Sequence, residues 1–139
     1  MVVVFVLIAS GVIYQRARSS VMLDYMNASL YEANIQLDLF EYIMTKYPND
    51  EFMRERVVNQ ILNAALLVAR NKPDVQDFDD VPLRVLIKLK RYFSVESKFG
   101  VQDNTYGLVK EYLDSIQSQL IMEEGRRSKV YSKPIKGMN

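Results

Sequence analysis

The sequence predicts an all-α protein in which an N-terminal apolar, membrane-anchoring helix runs into an antiparallel bundle of about four helices. Three observations carry that expectation. Chain breakers are scarce, with 5 Gly and 4 Pro in 139 residues, and most fall between periodic stretches rather than inside them. Apolar residues recur three and four apart through the body of the chain, which is a helical period and not that of a strand. Only the first fourteen residues depart from this amphipathic pattern, by being apolar nearly throughout.

Those residues read VVVFVLIASGVIY from Val2 to Tyr14, and Arg16 and Arg18 follow at once. A helix of that length spans about 21 Å, short of the roughly 30 Å hydrocarbon core of a bilayer. Snorkelling by Gln15, Arg16 and Arg18 and local thinning of the lipid can make up the difference. The expected anchor comprises Val2, Val3, Val4, Phe5, Val6, Leu7, Ile8, Val12, Ile13 and Tyr14. Burial against other subunits of a filament, secretion apparatus or virion is the alternative. A cleaved leader fits less well, because no charge precedes the apolar run. The two arginines on its C-terminal side place the bundle in the cytoplasm under the positive-inside rule. The chain then divides into an anchor at 1–18, a bundle at 19–124 and a basic flexible tail at 125–139.

Apart from Gly11, nothing interrupts the helix before Pro48. Leu23, Met26, Leu30, Ala33, Leu37, Phe40, Met44 and Tyr47 alternate by three and four, a heptad seam for the bundle or a partner helix. Ile35, Leu39 and Ile43 are expected to widen that stripe. Tyr47-Pro48-Asn49-Asp50 stops the first helix, and Asn49 or Asp50 caps the second. The second helix runs to about Arg70 with Met53, Val57, Ile61, Ala64 and Val68 on one face, and Asn71-Lys72-Pro73 ends it. Asp74 to Asp80 reads as a polar acidic loop with Asp80 as the next N-cap, and Pro82 suits the first turn of a third helix to about Phe93. After a loop containing Gly100, a fourth helix is expected from about Asp103 to Glu124, carrying Tyr106, Val109, Leu113, Ile116 and Leu120.

Cysteine and histidine are both absent, which excludes disulfides, His- or Cys-dependent triads and the commonest zinc and haem ligands. No cofactor and no catalytic constellation can be drawn from what remains, so the sequence points to a non-enzyme. The acids of the 74–80 loop lack the turn glycine and closing Glu of a calcium loop. Glu123 and Glu124 are adjacent and point to different sides of a helix, so they cannot act as an acid–base pair. Tyr25, Tyr42, Tyr92 and Tyr112 read as bundle residues with a wet hydroxyl end.

Net charge is only +1, but it is unevenly placed. Residues 21–50 hold five acids against Lys46, whereas the last fifteen hold Arg126, Arg127, Lys129, Lys133 and Lys136 with no acid. Near an anionic membrane each such basic residue contributes about 1 kcal/mol. Arg84, Lys88 and Arg91 share one face of the third helix and form a second candidate surface for lipid phosphates or an acidic partner. The domain lacks the basic excess that nucleic-acid binding needs. The expected partners are membrane lipid and another protein or copies of this chain, as for a scaffold or adaptor.

The order of parts resembles the LemA family. The resemblance rests on Tyr14 at the membrane exit, on Asn34-Ile35-Gln36-Leu37 in the first helix and on Leu86, Leu89 and Tyr92 in the third. In the fourth helix it rests on Tyr106, Leu113, Leu120, Arg126, Arg127 and Tyr131. The family's Ile-Pro near the end of the first helix and its repeated C-terminal Tyr-Asn are missing. The resemblance implies a short membrane helix followed by a helical bundle without known catalysis.

Overall fold

The structure, a computed structural model, describes the backbone of residues 2–94 and 104–132 and the side chains of 19–93 and 104–130. Among the described residues it contains five α-helices and no strand. They are α1 (Val2–Lys46), α2 (Glu51–Asn71), α3 (Asp80–Ser94), α4 (Asn104–Ser115) and α5 (Gln117–Ser132), with a 3-10 turn at Val75–Asp77 between α2 and α3. No helix among the described residues is long and apolar enough to cross a membrane. The anchor expected over Val2 to Tyr14 lies in the first turns of α1, but its side chains fall outside the described residues.

The helix ends follow from local chemistry. The Asp50 carboxylate accepts the Met53 N–H at 3.1 Å and so caps α2. Lys72 ends that helix in the left-handed region, φ 45° and ψ 53°, with its N–H on Val68 O at 2.9 Å. At α3 the Leu83 N–H reaches Asp79 O at 2.9 Å, so the helix starts from Asp79 rather than from the expected cap Asp80. That leaves the Asp80 carboxylate for a tertiary contact.

Helices α1 to α4 alternate in direction and α5 continues α4, but the ring order is not the sequence order. Helix α1 packs on α2 and α3, while α2 and α3 each pack on α4. Hydrogen bonds at both ends give the directions. Asn27 meets Asp79 at the start of α3, and Glu41 meets Tyr92 near its end, so α1 and α3 lie parallel. The α2–α3 link therefore crosses the diagonal of the bundle. In doing so it buries Val75 and Phe78, each 2% exposed, and closes one end of the core. The expectation of a purely polar loop at 74–80 misses this plug. Its two apolar members are three positions apart, one turn of 3-10 helix, and Gln76 and Asp77 between them face water.

Burial along α1 follows the expected seam in its middle and leaves it at the end. Met26, Leu30, Ala33, Leu37 and Phe40 are buried and Leu23 is half-buried, but Met44 and Tyr47 are exposed. Ile43 takes their place at 4% exposure. The reason is reach: Phe40 stacks edge-on against Tyr92 near the end of α3, and the hairpin tip extends beyond that layer. Across the tip Phe52 and Met53 are exposed too, and the core of α2 starts at Val57. Ile35 and Leu39 do not widen the buried stripe. They lie with Tyr25 and Tyr42 on the opposite side of α1, exposed.

The expected fourth helix is two helices with a one-residue break at Ile116. The Ile116 N–H donates to Tyr112 O at 3.2 Å and the Leu120 N–H to Ile116 O at 2.9 Å, so helical bonding continues across the break. The Ser115 hydroxyl donates back to the same Tyr112 carbonyl at 2.6 Å, a competition known to bend helices. Nor does Gly125 end the helix. Helix α5 passes through it to Ser132, so Arg126, Arg127 and Lys129 are helical rather than part of a flexible tail. Lys133 and Lys136 lie outside the described residues.

Candidate interaction surfaces

Glu123 is the one polar residue among those buried in the described core, at 6% exposure. Arg126 and Arg127, three and four residues on, both bind its carboxylate. Arg127 continues to Asp80 Oδ1 and to Phe78 O, each at 2.6 Å, and its Nε lies 3.0 Å from Glu123. The guanidinium thus ties α5 to the plug and to the first turn of α3. Hydrogen bonds from Arg126 and Arg127 hold the Glu123 carboxyl down to about 2. These contacts explain why the helix survives Gly125, which costs about 0.5–1 kcal/mol in a helix interior. They also correct the reading of Arg127 as a lipid contact, because its head group is committed inside the chain. Glu124, by contrast, is exposed, so the two acids do point apart.

On α1, Asn27 does for the plug what Arg127 does from the other side. Its Oδ1 accepts the Asp79 N–H at 3.0 Å, while its Nδ2 donates to Leu23 O at 3.2 Å. Tyr31 adds a long hydroxyl contact of 3.4 Å to Asp79 Oδ2. In the sequence Asn27 and Tyr31 sit beside the seam and carry no motif, so only the fold reveals them. Lys90, half-buried on α3, pairs with Asp114 on α4 and holds its carboxyl below the ordinary range. The Tyr112 hydroxyl reaches Pro73 O at 3.4 Å, and burial first, then the Asp74 charge, pushes it up to about 12. Tyr106 donates to Phe93 O at 2.9 Å, joining α4 to the end of α3.

What is left exposed bears on binding. Arg84 and Arg91 are exposed and Lys88 is half-buried along one side of α3. Arg84 also lines an open cleft of about 420 Å³ with Leu83, Ile87 and Glu124. A second cleft of about 420 Å³ lies between α1 and α2, where Glu32, Gln36, Gln60, Asn63 and Arg70 give it polar walls. Neither encloses a ligand-sized apolar volume with converging polar groups, as a small-molecule site does. Among the described residues no three acidic side chains come together as a metal site would require, and no buried side-chain polar atom lacks a partner. Of the acids in the 74–80 segment, Asp79 and Asp80 contact Tyr31 and Arg127 instead.

The largest apolar exposure is on α1. Val21, Tyr25, Ile35, Leu39 and Tyr42 are between 38% and 67% exposed and fall on its outer side. Together with Ala28, Glu32 and Lys46, all exposed, they form a row spaced alternately four and three. It has the spacing of a second heptad seam, and Tyr25 and Glu32 within it also line the cleft between α1 and α2. The sequence reading found the first seam and assigned Ile35 and Leu39 to it, because two seams on one helix overlap in composition.

No family model, curated protein or solved structure matches this chain. The LemA resemblance therefore stands on the residues that suggested it.

Proposed function

We propose that this chain is a non-enzymatic, single-pass membrane protein whose helical bundle acts in the cytoplasm as a scaffold or adaptor for another protein. The supporting observation is the length of α1. At a rise of 1.5 Å per residue its 45 residues measure about 68 Å, more than twice the length of α2. Among the residues whose side chains are described, which start at Ser19, its packing against the bundle begins at Met22 and Leu23. About 30 Å of helix lies N-terminal to Met22, close to the thickness of a hydrocarbon core. The apolar run Val2 to Tyr14 occupies the far end of that extension, and Arg16 and Arg18 stand between it and the bundle. A LemA-like protein would have this order of parts.

Lipid contact by basic side chains, on this reading, falls to Arg84, Lys88, Arg91, Arg126 and Lys129, with Lys133 and Lys136 beyond the described helix. Extraction of membranes with alkaline carbonate tests the anchor. The full chain should stay with the pellet and a version lacking residues 1–18 should be released. Release of the full chain, or its sedimentation without lipid, would overturn the anchor. It would favour the alternative, a subunit of an assembly whose N-terminal helix is buried against other subunits. The exposed outer row of α1 is the observation on that side.

A further inference from the structure

We infer that the C-terminal turns of α5 dock on anionic lipid head groups beside the anchor, so that α1 and α5 meet the same membrane face. The docking rests on the anchored reading above, whereas the placement of α5 rests on the fold alone. Asn27 of α1 and Arg127 of α5 hold the plug from opposite sides, Asn27 at Asp79 and Arg127 at Phe78 O and Asp80. Both therefore stand level with the first residues of α3. Helices α4 and α5 run against α3, from Tyr106 beside Phe93 to Arg127 beside Asp80, while α1 runs parallel to it. The N-terminal part of α1 and the C-terminal part of α5 thus leave the bundle at the same end. Beyond Glu123 no residue of α5 through Val130 is buried, so its last turns project past the core.

The lengths match. From Asn27 back to Tyr14, where the apolar run ends, α1 covers about 20 Å, and from Arg127 to Ser132 α5 covers about 8 Å. The difference of roughly 12 Å is within reach of the four residues from Ser132 to Lys136, at up to about 3.5 Å each. Charge at this end is divided between its two sides. On α5, Arg126 and Lys129 are exposed, and Lys133 and Lys136 follow with no acid after Glu124. The acids lie elsewhere: Asp74 and Asp77 line a cleft with Ser19, Met22 and Lys72 beside the end of α2, and Asp80 is held by Arg127. An anionic surface attracts the first side and repels the second, which leans the bundle toward α5. That attraction decays over about 8 Å at physiological salt, so height above the lipid matters. Arg84, Lys88 and Arg91 climb the side of α3 away from this end, Arg91 about 10 Å beyond Arg84. The residues of α5 make the first contact.

The full chain, reconstituted into phosphatidylcholine vesicles with or without phosphatidylserine, provides the test. It has no cysteine, so Ser128→Cys or Asn49→Cys carries a single fluorophore. Both positions are exposed, and Asn49 lies at the α1–α2 hairpin tip, about 30 Å further along the bundle. A nitroxide on the lipid head group, which quenches only at short range, should quench the label at 128 when phosphatidylserine is present and leave the label at 49 bright. Added salt should relieve the quenching. Lys129→Gln, Lys133→Gln and Lys136→Gln should each lower the ratio of docked to undocked chain about fivefold. Equal quenching at 128 and 49, or quenching at 128 indifferent to phosphatidylserine and to salt, would overturn the docking. Alkaline carbonate applied to the same vesicles separates this result from the anchor. A chain that resists extraction without quenching at 128 keeps the anchor and loses the docking. One released by carbonate, yet quenched at 128 before release only with phosphatidylserine, loses the anchor and keeps the α5 contact. A chain that associates with neither kind of vesicle loses both.

Discussion

Replacing Arg127 with Gln should destabilise the fold by about 2–3 kcal/mol, an effect a lipid-contact residue would not have. The guanidinium donates to Asp80 and Phe78 O at 2.6 Å and to Glu123 at 3.0 Å. Hydrogen bonds to charged groups contribute about 1.5–3 kcal/mol each where buried, and exposed ion pairs about 0–1. Arg127 has 16% of its side chain exposed and Asp80 42%, so the Asp80 contact belongs near the low end. The Phe78 carbonyl loses its charged donor and Glu123 keeps only Arg126, which together account for the rest. For a chain of 139 residues each kcal/mol moves Tm by about 3–4 °C, giving a fall of roughly 6–12 °C. Circular dichroism at constant protein and detergent concentration measures it, and the double-mutant cycle with Asp80→Asn should show coupling of about 1 kcal/mol. Arg56→Gln, on the exposed side of α2, serves as the control and should shift Tm by less than about 2 °C. An equally small shift for Arg127→Gln would refute the argument, because it would mean that water screens the whole cluster.

Two further outcomes follow from local geometry. Lys72 holds φ 45° at the end of α2, where a side chain costs about 1–2 kcal/mol and glycine costs nothing. Allowing for the extra freedom glycine gives the unfolded chain, Lys72→Gly should stabilise by roughly 0.5–1 kcal/mol in a urea titration, and a loss of stability would refute the strain. Acid should destabilise through Glu123 and Asp114. Hydrogen bonds from Arg126 and Arg127 lower Glu123 from 4.5 to about 2, and one from Lys90 lowers Asp114. A depressed folded-state pKa contributes stability that is present above the ordinary value and lost as pH falls through the folded one. Tm should therefore hold steady down to about pH 5 and fall progressively toward pH 2, with a shallower fall in Arg127→Gln. A profile identical in that variant would show that Glu123 gains nothing from Arg127.

Much of the helical layout was legible in the chain because it depends on neighbours. The restart at Asp50 needs only a side-chain oxygen three residues from an N–H, and the stop before Pro73 needs only a missing donor. Met26, Leu30, Ala33, Leu37 and Phe40 were legible as core because their spacing survives any arrangement of the other helices. Met44 and Tyr47 continue that spacing and are nevertheless exposed while Ile43 is buried, since burial depends on what stands opposite, which spacing along one helix does not fix. The same limit hid the role of Arg127, which reads as one of a run of basic residues until Asp80, 47 positions earlier, arrives beside it.

By itself, then, the sequence determined that the chain is helical, where most of its helices begin and end, and that no histidine or cysteine chemistry is open to it. Those properties follow from spacing, capping and composition, which act over a few residues or none. The tertiary structure alone decided the ring order, the plug of Val75 and Phe78 and the continuation of α5 through Gly125. It also decided which side of α1 faces water. Each of these turns on contacts between residues far apart in the chain, whose free energy exists only once the helices have met.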